Sequence, residues 1–61
     1  MKHKLDLLRY QDSLYIVLKR MNEDSVKDVS MAKEFFGADI ALKHQGQIIF
    51  CEKIEEAEIL D

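Results

Sequence analysis

The chain has no proline, one cysteine, and glycine only at Gly37 and Gly46. With so few breakers there is no flexible linker at which it would divide, so a single domain over residues 1–61 is expected. One cysteine excludes an internal disulfide framework and points to a reducing, cytoplasmic setting. Long apolar runs are missing too. The longest, Leu14-Tyr15-Ile16-Val17-Leu18, falls far short of the roughly 20 residues that cross a bilayer, so no membrane association is expected. The charged start Met1-Lys2-His3-Lys4-Leu5-Asp6 is not followed by an apolar stretch of signal-peptide length. Positive charge is also in deficit: the net charge is −3 and the isoelectric point is near 5.3. A phosphate backbone calls for a basic stripe, so nucleic acid is not an expected partner.

What is present argues for a folded protein. Hydrophobic residues make up 48% of the chain and charged residues 34%, too apolar for a disordered tail. A domain this small buries only about 60% of its unfolded surface, and apolar burial set against lost chain entropy comes out near zero. Self-association into a homodimer would relieve that shortfall. Charge is unevenly spread: Met1 to Arg20 carries five cations against two anions, whereas Glu52, Glu55, Glu56, Glu58 and Asp61 face Lys53 alone in the last ten residues. That acidic end reads either as a dock for a basic partner or as a strand edge guarded by charge.

The pattern predicts an α+β domain of order β-β-α-β-β, an antiparallel sheet with one helix on one face. The helix should begin near Asp24, where Asn22-Glu23-Asp24-Ser25 offers caps and Ser25 with Asp28 resembles a capping box. Val29, Ala32 and Phe36 form one stripe at 100° per residue, flanked by Phe35, and the aromatic pair reads as core. Gly37 should stop the helix. Residues 40–51 then read as a hairpin turning at Gly46. A two-residue Gln45-Gly46 loop would pair Leu42 with Ile49 and put Ile48 and Phe50 opposite Ile40 and Leu42. A three-residue loop would instead gather Ile40, Leu42, Ile48 and Phe50 on one face to meet the helix stripe, and is the register expected.

Residues 5–18 read as two strands around Gln11-Asp12-Ser13. Leu7, Tyr10, Leu14, Val17 and Met21 also fit a heptad, but Asp12 and Ser13 are poor interior helix residues and Tyr-Ile-Val prefers a strand. Pairing Tyr10 with Tyr15 across a four-residue loop sets Leu8 against Val17 and Asp6 opposite Lys19. The acidic tail is expected to form a short edge strand.

Chemistry-bearing clusters are sparse. Under the expected register His44 lies in the turn and Cys51 well along the strand, too far apart for a thiolate and its base. No Cys-x-x-Cys, His-x-x-x-His or Asp-rich loop marks a metal site. The isolated glycines make no phosphate-cradling loop, the serines have no glycine-flanked elbow, and exposed glutamates remain ordinary acids. Neither an enzyme nor a cofactor is expected. An interaction surface is better supported. With the helix on one face, the opposite face would keep part of Leu8, Tyr10, Tyr15, Val17, Ile49 and Cys51, a patch that a monomer rarely leaves in water. Tyr10, Tyr15 and Val17 on that face, and Glu55, Glu56 and Glu58 at the acidic end, are the candidate partner-binding residues. The expected function is a non-enzymatic modulator that masks a site on another protein; the alternative is a structural or regulatory homo-oligomeric subunit.

The helix running into Phe35-Phe36-Gly37-Ala38-Asp39, the hairpin Leu42-Lys43-His44-Gln45-Gly46-Gln47 and the closing Ile49-Phe50-Cys51-Glu52-Lys53-Ile54-Glu55-Glu56-Ala57-Glu58 resemble, in general style, the small auxiliary proteins of T-even-like tailed bacteriophages. The likeness covers the C-terminal half. It implies a protein that binds and redirects a host factor such as a nuclease, a toxin or part of the transcription machinery, and it assigns no functional residue.

Overall fold

Two hairpins closed by left-handed turns set the architecture. A computed structural model describes residues 6–55. Strands β1 (Leu7–Tyr10) and β2 (Ser13–Asn22) are followed by a 3-10 turn (Glu23–Ser25), helix α1 (Val29–Phe36) and strands β3 (Ile40–His44) and β4 (Gln47–Ile54). This is the α+β, β-β-α-β-β domain that the pattern predicts. All pairings are antiparallel and the strand order is β1-β2-β4-β3. The residues 56–61 expected to add an edge strand lie outside the described ones.

Both hairpin registers differ from expectation, for the same reason. Gln45 (φ 49°) and Gly46 (φ 79°) are both left-handed, the combination of a type I′ turn, whose twist matches that of the strands it joins. The loop therefore has two residues, and His44 pairs with Gln47, Leu42 with Ile49 and Ile40 with Cys51. Ile48 and Phe50 thus lie on the face opposite Ile40 and Leu42, so the expected four-residue face does not form. At the first hairpin Gln11 (φ 50°) and Asp12 (φ 65°) are left-handed as well. Tyr10 pairs with Ser13 and Leu8 with Tyr15, in place of Tyr10 with Tyr15 across four residues. A slip of two keeps every side chain on its expected face. Asp6 finds Arg20, not Lys19: its Oδ2 accepts from Nη2 at 2.8 Å and from Nε at 3.1 Å. Both side chains are exposed, so the pair contributes little to stability.

The helix starts later than its first polar cluster suggests. Asn22 caps only the 3-10 turn, accepting from the Asp24 N–H at 3.0 Å, and Val26 is extended. Asp28 is the true N-cap, its carboxylate accepting from the Met31 N–H at 3.1 Å. A capping box between Ser25 and Asp28 is therefore absent. Gly37 ends the helix at φ 72°, with its N–H on the Glu34 carbonyl and the Ala38 N–H on the Lys33 carbonyl, a Schellman closure.

The apolar interior has two parts. On one face Phe36 of α1 meets Phe50 with ring centroids 5.1 Å apart, and Phe50 and Ile48 are both buried. On the other face Tyr15, Ile49 and Cys51 form a buried cluster packed by Leu8, Val17 and Ile40. Among the described residues no helix covers this second face. The sheet itself is curled, and Leu8 of β1 and Ile40 of β3 pack against the cluster; a bulge between Val17 and Lys19 adds to the curl, since an extra residue bends a strand and increases its local twist. Removing the largest fully buried side chain, Phe50→Ala, is expected to cost about 3–5 kcal/mol, most of what so small a domain holds. Circular dichroism should then show no cooperative thermal transition; one at the parent temperature would place Phe50 outside the core.

Candidate functional site

An eight-residue helix can turn one stripe toward a sheet, and this helix carries two. Val29, Ala32 and Phe36 are partly buried on the sheet side. Met31 and Phe35, four residues apart and therefore stacked on one line, remain 68% and 83% exposed. Phe35 thus lies outside the core, its ring edge-on to Phe36 at 5.2 Å, because one helix position turns it about 100° from Phe36. Beside these two side chains runs an open groove of about 400 Å³, floored by Met21 of β2 and Val26 and walled by Met31, Ala32, Phe35 and Phe36. Lys27 and Asp28 bring the only charges to its lining. The groove also carries Ser25 in its lining. It supplies a projecting aromatic ring, a flexible thioether and a trough that could receive an apolar side chain.

The expected partner-binding residues fall elsewhere and do not converge. Tyr15 is 9% exposed and belongs to the curled-face core, with Val17 packed against it. Of the patch expected to stay open, Tyr15, Ile49 and Cys51 are therefore buried, in a sheet that is curled. Tyr10 stays accessible at 39%, its ring edge-on to Tyr15 at 6.5 Å. Glu55 is exposed just beyond β4, at the end of the sheet where Ile54 pairs with Leu14, while the groove lies at the Met21 end. Glu56 and Glu58 are outside the described residues. Sequence reasoning missed the groove, although a signal was present: Met31 and Phe35 widen the helix's apolar arc beyond what one sheet contact consumes.

His44 and Cys51 are separated as expected. His44 is exposed opposite Gln47, and Cys51 sits four positions farther along β4, wholly buried opposite Ile40. Its Sγ lies 3.7 Å from the Ile49 carbonyl. Burial pushes the thiol above its ordinary value of 9.0; the charge of Arg20 works against the shift and that of Asp6 adds to it. Asp39 ties the start of β3 to β4, accepting the Lys53 N–H at 2.8 Å and donating its own N–H to the Cys51 carbonyl. Among the described residues no cluster of histidine, cysteine or carboxylates could hold a metal ion, and no helix is long and apolar enough to cross a membrane. No protein-family model, curated protein or solved structure matches the chain.

The raised thiol gives a pH signature. The unfolded chain ionises Cys51 near 9.0 while the folded chain still holds the proton, so the thiol's stabilising share is complete below that pH and is lost as pH rises through it. Urea titrations should therefore show the stability advantage of the parent over Cys51→Ala shrinking above pH 9.0; a pH-independent difference would contradict the burial of the thiol.

Proposed function

We propose that the chain is a small non-enzymatic protein-binding modulator that acts by covering a site on another protein. Its contact is centred on Phe35 and Met31, not on the curled face. The observation that carries this reading is the 83% exposure of Phe35 beside an apolar groove, in a chain with little apolar area to spare. Exposed aromatic side chains of this kind anchor interfaces, and methionine adapts to the surface it meets. The partner is expected to offer an apolar pocket for the Phe35 ring, with few charges at its centre. The resemblance of the C-terminal half to phage auxiliary proteins supports a host protein as the target, and the single free cysteine suits a cytoplasmic setting. A homodimer through the same groove is the second reading, favoured by the same exposed pair.

Paired captures with purified chains test the assignment. The parent and Tyr10→Ser should retain one stoichiometric partner, and Phe35→Ser should weaken it by tenfold or more, the response of an interface anchor worth about 2 kcal/mol. Phe35→Ser should leave thermal stability within about 0.5 kcal/mol of the parent, as for other surface positions. Loss of the partner with Tyr10→Ser alone would move the contact to the rim of the curled face. Concentration-dependent sedimentation of the parent, abolished by Phe35→Ser with no other partner found, would decide for the homodimer.

A further inference from the structure

Sulfur is placed unequally in this fold. The chain holds one cysteine and three methionines, and the side chain that usually senses oxidants is cysteine, through an accessible thiolate. Cys51 is unsuited to that role. It is fully buried, and the burial pushes its thiol above the ordinary value of 9.0, so both access and the reactive anion are lacking near neutral pH. Among the described residues the sulfur most open to solvent is the thioether of Met31, on a side chain 68% exposed. Met21 is half-buried on the groove floor, opposite the buried Ile48.

Position gives that exposure a consequence. Met31 walls the groove together with Phe35, which stands one helical turn farther along the same line. A thioether there offers an apolar, polarisable surface, whereas a sulfoxide would set a strongly polar S–O group on the rim. The core would not feel the change. Phe36 holds the helix to the sheet through Phe50, on the side turned away from Met31, so oxidation alters the outer surface and leaves that packing in place. At Met21 the same oxygen would enter the groove floor beside Ile48 and disturb the fold.

We propose that Met31 is a reversible oxidation site, converted to the sulfoxide by a hydroperoxide, and that the conversion closes the groove to apolar ligands. The sulfur lone pair attacks the outer peroxide oxygen, and the S–O bond forms as the O–O bond breaks. The departing oxygen takes the hydroperoxide proton and leaves as an alcohol, or as water when the oxidant is hydrogen peroxide. Sulfur loses the electron pair that the peroxide gains. A thiol-dependent methionine sulfoxide reductase restores the thioether. The site itself stands on the exposure of Met31, and only its regulatory consequence, release of a docked partner, rests on the function proposed above.

Hydrogen peroxide applied to the purified full chain, followed by tryptic mapping, tests the site. Cleavage after Arg20, Lys27, Lys33, Lys43 and Lys53 puts Met21, Met31 and Cys51 in separate peptides. Met31 should gain oxygen several-fold faster than Met21 while Cys51 stays reduced, and the cooperative thermal transition should persist. Equal rates at the two methionines, or faster loss of the Cys51 thiol, would overturn the assignment. Binding of the amphipathic dye anilinonaphthalene sulfonate reads the groove. The oxidised chain should bind it about tenfold more weakly, the lower end of the gain from burying a methionine side chain. Met31→Leu keeps an apolar side chain without the sulfur, so its dye affinity should be the same before and after peroxide, while Met21→Leu should retain the parent's response. Undiminished dye binding by the Met31 sulfoxide would overturn the switch and leave the docking role standing. A parent that binds no dye would overturn both, since its groove would then receive no apolar ligand.

Discussion

The left-handed conformation at two consecutive residues, repeated at Gln11-Asp12 and Gln45-Gly46, is the constraint on which the rest of the structure depends. It limits each hairpin loop to two residues, and a two-residue loop dictates which side chains stand opposite each other. In the second hairpin this separates Ile48 and Phe50 from Ile40 and Leu42. Apolar surface is thereby divided between the two sides of one sheet, each of which needs its own cover. Three of the four turn residues carry a side chain, and for such residues the left-handed region costs about 1–2 kcal/mol each. That cost is offset only because the register it sets allows both halves of the interior to close.

The two halves close by different means. The helix covers Phe50 through Phe36. Opposite, the curl of the sheet gathers Tyr15, Ile49 and Cys51 under Leu8, Val17 and Ile40. Among the described residues the two most exposed large apolar side chains lie on the helix, at Met31 and Phe35. The proposed binding role follows from that exposure. A flat sheet would have offered Tyr15 and Val17 to a partner; a curled one keeps them and offers Phe35.

Features governed by local chemistry were legible in the sequence. Gly37 ends the helix because the left-handed closing position favours glycine, and Gly46 marks a turn for the same reason. Tyr-Ile-Val together with Asp12-Ser13 identified strands where a heptad competed, and β2 indeed runs from Ser13 to Asn22. Features that depend on which of two local solutions wins were not legible. Gln11, Asp12 and Gln45 adopt left-handed backbone without glycine's freedom, so loop lengths were misjudged by one residue at Gly46 and by two at the first hairpin. Ser25 and Asp28 are both competent caps, and the choice of Asp28 follows from the extended Val26 that precedes it. The exposure of Phe35 and the burial of Tyr15 depend on helix placement and sheet curl, which no single segment encodes.

Cross-strand nuclear Overhauser effects in the second hairpin test the central claim most directly. A two-residue Gln45-Gly46 loop makes Lys43 with Ile48 and Ala41 with Phe50 the closely spaced non-hydrogen-bonded pairs, about 4.5 Å apart at Cα. Strong Hα–Hα contacts are therefore expected between Lys43 and Ile48 and between Ala41 and Phe50. Contacts placing Leu42 opposite Ile48 and Ile40 opposite Phe50 would instead establish the three-residue loop, return all four residues to one face, and contradict the packing of Ile40 against the Tyr15, Ile49 and Cys51 cluster.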